Sequence, residues 1–196
     1  MKLTDTQIIE AALALLQESG LEGVTLRKLQ TSLSVTAPTL YWRFHSKTEL
    51  LNAMSEYIVT TRAKTTETEV SDRPWQQYVI ETFASVREAM LAYKDGSKII
   101  ANSGILGTPS LAYIIEEGMD LMQSQGISTT ESSLILFAAL HYTFGHVIEE
   151  QTSRDQSGHE MFFKAHPLIR KAVLSKSAVK ATPAEIYLSG LKRILG

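Results

Sequence analysis

Between Val24 and Leu50 the chain reads VTLRKLQTSLSVTAPTLYWRFHSKTEL, a stretch rich in side chains that bind a polyanion. Arg27, Lys28, Arg43 and Lys47 supply cations, with His45 beside them. Thr25, Thr39 and Tyr41 supply hydroxyls, and Trp42 a flat apolar face with one N–H. Cations and hydroxyls bond phosphate oxygens, an arginine fork reads guanine, and small apolar groups meet thymine methyls. A second polar group lies far downstream: His141, His146, Glu149 and Glu150. His146 with the two glutamates has i, i+3, i+4 spacing, which can hold zinc. The same spacing lets a polar cluster inside an apolar helix satisfy itself, and no metal site is expected. No nucleophile elbow, phosphate loop or carboxylate pair with its own cleft appears. Neither catalysis nor a cofactor is expected.

The elements that position the first group are short. Leu26, Leu29 and Leu33 recur at helical spacing and predict one buried face. Ser34-Val35 breaks the pattern. Thr36 is a good N-cap, and Pro38 suits the first turn of a second helix. Leu40 and Phe44, four apart, give that helix its inner side. Thr39, Tyr41, Trp42 and Arg43 are left facing elsewhere, on a helix of barely two turns. Two helices joined by a three- to four-residue turn form a helix-turn-helix, whose second helix enters the major groove. Thr25, Arg27, Thr39, Tyr41 and Lys47 are expected at phosphates or as positioning groups. Ala37, Pro38, Trp42 and Arg43 are expected near base edges, Ala37 and Pro38 through thymine methyls.

Thr25-Leu26-Arg27, the pair Tyr41-Trp42, and Lys47-Thr48-Glu49-Leu50 stand at fixed spacing. Together they resemble the DNA-binding domain of the tetracycline-repressor (TetR) family, and Pro38-Thr39-Leu40-Tyr41-Trp42 is similar to its tetracycline-repressor branch. The resemblance runs on through Trp75-Gln76, Arg87, Tyr93, Asp95-Gly96, Lys98 and His141-Tyr142-Thr143-Phe144-Gly145. It implies a homodimeric repressor of a near-palindromic operator, released from double-stranded DNA by a small-molecule inducer. It also implies a dimer bundle built by the helix from Glu131 and the last helix. In that branch an imidazole after the Asp-Gly-x-Lys-x run coordinates drug-chelated magnesium. Here Ile100 holds that position and cannot ligate a metal. Ala63, Thr82 and Val86 stand where the branch has ring-contacting groups, while Ser103 keeps a hydroxyl and Glu149 a carboxylate. Thr82, Phe83, Val86, Ile100, Ser103, Leu106, Ile114, His141, Tyr142 and Glu149 are expected to contact the inducer, and Mg²⁺–tetracycline is not expected to be it. Ala37 replaces an amide that the branch uses in base reading, so a different operator is expected.

Apolar content of 44% and charged content of 20% are ordinary for a globular chain. No cysteine is present, which excludes disulfides and thiolate metal sites. That fits a reducing cytoplasm, the expected location. The N-terminal apolar run is interrupted by Asp5 and Glu10 and lacks a small-residue cleavage site, so it does not read as a signal peptide. No apolar run approaches a membrane span. Net charge is −2, so DNA affinity must come from local placement and from two motifs acting together.

No strand-like alternation occurs, and the fold class expected is all-α. Residues 1–46 are expected as a three-helix DNA-binding domain, 47–66 as a connecting helix, and 67–196 as a ligand-binding and dimerisation domain. Thr4-Asp5-Thr6-Gln7 and Ser46-Lys47-Thr48-Glu49 both read as capping boxes. Gly20 should end the first helix. The fourth helix should reach about Thr66, with a loop to Asp72. Ser97–Asn102 reads as a short helix, 103–107 as a flexible loop, and 152–165 as an ordered loop. Thr129 or Thr130 should cap the helix from Glu131, which is apolar on several faces. There Leu134, Ala138, Ala139, Tyr142 and Gly145 are candidates for packing against a second chain, with monomer core as the alternative. Ile186, Leu188, Leu191, Ile194 and Leu195 form the stripe of the last helix. A helical ligand-binding protein with vestigial DNA binding is the alternative function.

Overall fold

The computed structural model describes residues 3–62, 73–152, 160–178 and 181–196. Among them every regular element is a helix. Helix α1 (Asp5–Gly23) opens with a complete capping box: Thr4 Oγ1 accepts from Gln7 N–H at 3.2 Å, and Gln7 Oε1 accepts from Thr4 N–H at 2.9 Å. It breaks at Gly20, whose φ of 70° lies in the left-handed region where only glycine is free of Cβ crowding. Helices α2 (Leu26–Leu33) and α3 (Ala37–Tyr41) follow, with Ser34 at φ 53° turning the chain between them. A five-residue helix cannot stand alone in water. Here it is held by fully buried Leu40, with Phe44 beneath the turn after it. Burying such a leucine contributes about 1.5–3 kcal/mol.

Helix α4 (Lys47–Arg62) leaves this unit and runs along the larger domain. Its start differs from the expected box. Ser46 Oγ accepts from Glu49 N–H at 3.1 Å, but Glu49 Oε2 takes the N–H of His45 at 2.8 Å, not that of Ser46. The expected end near Thr66, Ala63 and the loop to Asp72 lie outside the described residues. Helices α5 (Trp75–Leu91), α6 (Gly96–Gly107), α7 (Pro109–Ser124) and α8 (Thr129–Gln151) form the body. Their core includes Tyr78, Phe83, Met90, Ile99, Leu111, Met122 and Leu136. Helix α11 (Pro183–Leu195) packs on α5 and α8. Helices α9 (Glu160–Ala165) and α10 (Pro167–Ala178) pack on each other.

Further departures from the sequence reading lie in the larger domain. Residues 103–107 are helical, because α6 continues through a break at Gly104 (φ 59°). Residues 160–165 form α9 within the expected loop, and 153–159 lie outside the described residues. The cap of α8 is Ser128, whose Oγ accepts from Glu131 N–H at 3.2 Å.

Helix α6 is tied at its start to α1 of the DNA-binding unit and at its end to α4. At its start Asp95 Oδ2 accepts from Leu21 N–H at 3.0 Å. Gln17 bonds Ala92 C=O at 3.1 Å and Lys94 N–H at 2.8 Å. At its end buried Ser55 Oγ meets Thr108 Oγ1 at 2.6 Å. Glu56 accepts from Ser110 N–H at 3.0 Å and from its hydroxyl. Lys98, 2.7 Å from Asp95, foremost holds that carboxyl below its usual range, with the Leu21 N–H adding to the effect. The folded state therefore binds fewer protons than the unfolded one through the acid range. The stabilisation is full above about pH 4 and fades as pH falls through the folded value. Asp95→Asn should lower the urea midpoint at pH 7, and its deficit against wild type should shrink below about pH 4. A deficit that stays constant into the acid range would show that the carboxylate charge is not what holds this joint.

Candidate DNA interface and ligand pocket

The reading surface is built from the three-residue repeat of α2 and the single turn of α3. Thr25 caps α2 by accepting from Lys28 N–H at 3.2 Å, which makes it a positioning group. Arg27 and Lys28 are exposed on that first turn. On α3, Ala37, Pro38, Thr39 and Tyr41 are exposed, and Trp42 is 82% exposed directly after it. Thr36 makes no side-chain cap; its hydroxyl lies 3.0 Å from that of Thr39. Lys47 is exposed at the start of α4. The structure thus brings Ala37, Pro38, Thr39, Tyr41 and Trp42 onto one short element. Arg43 stands apart from the expectation of a free base reader. Its Nη1 lies 2.9 Å from Asp5 Oδ1, and its Nη2 donates to Leu3 C=O at 3.1 Å.

The expected ligand contacts separate into three groups. Thr82, Phe83, Val86, Ile100 and Ile114 are buried in the core between α5, α6 and α7. Ser103 joins them with a buried hydroxyl that has no hydrogen-bond partner. Tyr142 turns instead to α11: it stacks on Tyr187 at 5.5 Å and donates to Tyr187 C=O at 3.1 Å. Leu106, 96% exposed, and His141 and Glu149, exposed on the outer side of α8, do not line a cavity of the protomer. The periodicity of an all-apolar helix could not say which side faces outward.

The open groove lies beside the core set. It measures about 420 Å³ and is lined by Ile105, Ala112, Ile115, Glu116, Met119, Asp120, Gln123 and Phe137. None of the expected contacts lines it. The signal was present on α7, where Ala112, Ile115, Glu116, Met119, Asp120 and Gln123 follow helical spacing along one stripe. The volume and mixed lining suit a small organic molecule.

Across α5, α8 and α11 runs a separate polar network. Arg87 donates to both oxygens of Glu150, at 2.8 and 2.6 Å, and lies over the Tyr187 ring at 5.3 Å. His146 Nε2 lies 3.2 Å from Glu150. Burial foremost raises the Tyr187 hydroxyl well above its usual range. Glu150 is thus committed to Arg87, and the described residues contain no group of three or more His, Asp or Glu able to hold a metal ion. The set around Ile100 also fails the test of fit for a magnesium site, since a fully buried aliphatic chain offers no donor there.

An exposed five-residue helix over a buried leucine, joined to a larger helical body with its own groove, defines the class of helix-turn-helix regulators with a sensing domain. The chain belongs to the tetR family of bacterial regulatory proteins, whose model matches residues 8–54, and residues 67–195 match the tetracyclin repressor-like C-terminal domain. It is a DNA-binding transcriptional repressor with a ligand-binding domain, and not an enzyme. It is 32% identical to the tetracycline repressor protein class E of Escherichia coli over 99% of this chain and 90% of that one. Among solved structures it is similar to TetR (class A) in complex with 5a,6-anhydrotetracycline and magnesium, at TM-score 0.72 and 28% identity, covering 98% and 96% of the two chains. It is also similar to BioQ with its natural double-stranded DNA operator, at TM-score 0.67 and 26% identity, covering 86% and 97%. No described helix is long and apolar enough to cross a membrane.

Proposed function

We propose that this repressor acts as a cytoplasmic homodimer on a near-palindromic operator and is released by an apolar, metal-free small molecule. The observation that carries the reading is the α3 surface. Ala37, Pro38, Thr39, Tyr41 and Trp42 are all exposed on an element too short to exist for packing alone. Arg27, Thr39, Tyr41 and Lys47 contact phosphates, Thr25 positions α2, and Ala37, Pro38 and Trp42 approach base edges. The similarity to a structure holding its operator supports the DNA half of this reading. The dimer half rests on α8, whose outer side carries Leu134 (67% exposed), Ala138, His141, Gly145 and Glu149 in helical register. Ala139, by contrast, is buried within the protomer. The inducer half rests on the groove between α6, α7 and α8 and on the partnerless Ser103 hydroxyl nearby in sequence.

Selection of bound duplexes from a randomised library, followed by footprinting, tests the reading. Two half-sites about one helical turn apart, roughly 34 Å, are expected. Lys47→Ala should weaken all duplexes alike and flatten the salt dependence by about one in log–log slope. A sequence profile altered by that substitution would move Lys47 from phosphate to base.

A further inference from the structure

Arg43 is the one motif cation whose place differs from the sequence reading. Among the described residues Arg27, Lys28 and Lys47 make no ion pair, whereas Arg43 pairs with Asp5 at 2.9 Å. Its second terminal nitrogen is taken by Leu3 C=O at 3.1 Å. Both acceptors lie where α1 begins, a segment stiffened by the Thr4–Gln7 capping box. Leu3, Thr39, Trp42 and Arg43 together line a cleft of about 370 Å³ between this segment and the outer side of α3. Bidentate guanine reading needs two free guanidinium N–H groups in one plane. Here one N–H of each terminal nitrogen is engaged, and the two bonds turn the guanidinium toward the start of α1. The pair is partly solvated, with side chains 31% and 58% exposed, so it adds little to stability. Its effect falls on the charge that the reading surface offers to DNA.

We propose that Asp5 masks Arg43, holding it out of phosphate and base contact, and so limits the sequence-independent part of DNA affinity. The inference rests on the DNA-binding reading above. Freeing one cation beside the reading helix would add about one phosphate contact on any sequence. Asp5 thus lowers affinity for any duplex while leaving the sequence-reading groups of α3 untouched.

The test is a KCl titration of binding to a random-sequence duplex and to a duplex recovered by selection. Five proteins are compared: wild type, Asp5→Asn, Asp5→Glu, Arg43→Ala and the double variant Asp5→Asn/Arg43→Ala. Asparagine keeps a carbonyl acceptor, and circular dichroism checks each fold. Asp5→Asn should steepen the salt slope by about one on both duplexes. It should also bind both duplexes several-fold tighter, with the ratio of selected to random affinity unchanged. Arg43→Ala, Asp5→Glu and the double variant should keep the wild-type slope. A flatter slope for Arg43→Ala alone would show that Arg43 already touches DNA and would overturn the proposal. So would an Asp5→Asn slope equal to wild type, or a double variant as steep as Asp5→Asn. Wild-type protein that binds neither duplex would remove the DNA-binding reading itself, a different failure.

Discussion

Gly145→Leu is expected to abolish operator binding while leaving the protomer folded. Gly145 lies on the outer side of α8, and a Cβ built there meets nothing within 4 Å in the protomer. Glycine is also a poor helix former, costing about 1 kcal/mol against alanine. Leucine should therefore leave the isolated protomer as stable or slightly more so. Any damage must come from what approaches that face. If α8 packs closely on its two-fold mate, as proposed, a leucine at the crossing holds the helices apart. Two half-sites then can no longer be engaged together. Losing that linkage should cost about 10²–10⁴-fold in operator affinity. Sedimentation should show a monomer at micromolar concentration, with helicity retained. A variant that still sediments as a dimer and binds the operator normally would remove α8 from the interface.

Tetracycline with Mg²⁺ is expected to leave the protein on its operator at ordinary inducing concentrations. Ile100, where the resembled branch carries a metal-binding imidazole, is fully buried and aliphatic. Glu149 lies exposed on the far side of α8, away from the core that holds Ile100. Mg²⁺ gives up its waters reluctantly and wants oxygen donors at close range, so a single distant carboxylate gains it little. Val86 and Thr82, both buried on α5, offer only small side chains at their positions. A ligand at a hundred times its Kd would stabilise the fold by about 2.7 kcal/mol, a shift plain in thermal melting. Melting and DNA-release titrations with tetracycline, run with Mg²⁺ and with chelator, should both stay flat. A magnesium-dependent release would show that another side chain supplies the donor.

The DNA-binding unit was largely legible because its determinants are local. The Thr4–Gln7 box, the break at Gly20, the proline in the first turn of α3 and the Leu40–Phe44 pair each act within a few residues. The Ser46–Glu49 box misled in one half because the backbone N–H of His45 lay within reach of the same carboxylate. What escaped was set at long range. Arg43 finds Asp5 thirty-eight positions away, and no periodicity announces it. The run Ser103–Gly107 reads as a loop by composition, yet contacts with α4 keep it helical around its break. The expected pocket set rests on resemblance at single positions. Which of those side chains are walled into the core and which face the groove depends on how α6 and α7 rotate, and sequence does not specify that rotation.

The two-ended attachment of α6 has a mechanical consequence. A strut fixed to α1 at Gln17 and Leu21 on one side, and to α4 at Ser55 on the other, cannot slide along its axis without tearing one set of bonds. It can only change length. Gly104, at φ 59°, is the joint where that costs least, since no Cβ resists either setting. A molecule wedged against Ile105 would then act like a jack: it would not push the strut sideways but spread its two anchorages, prising α4 from α1.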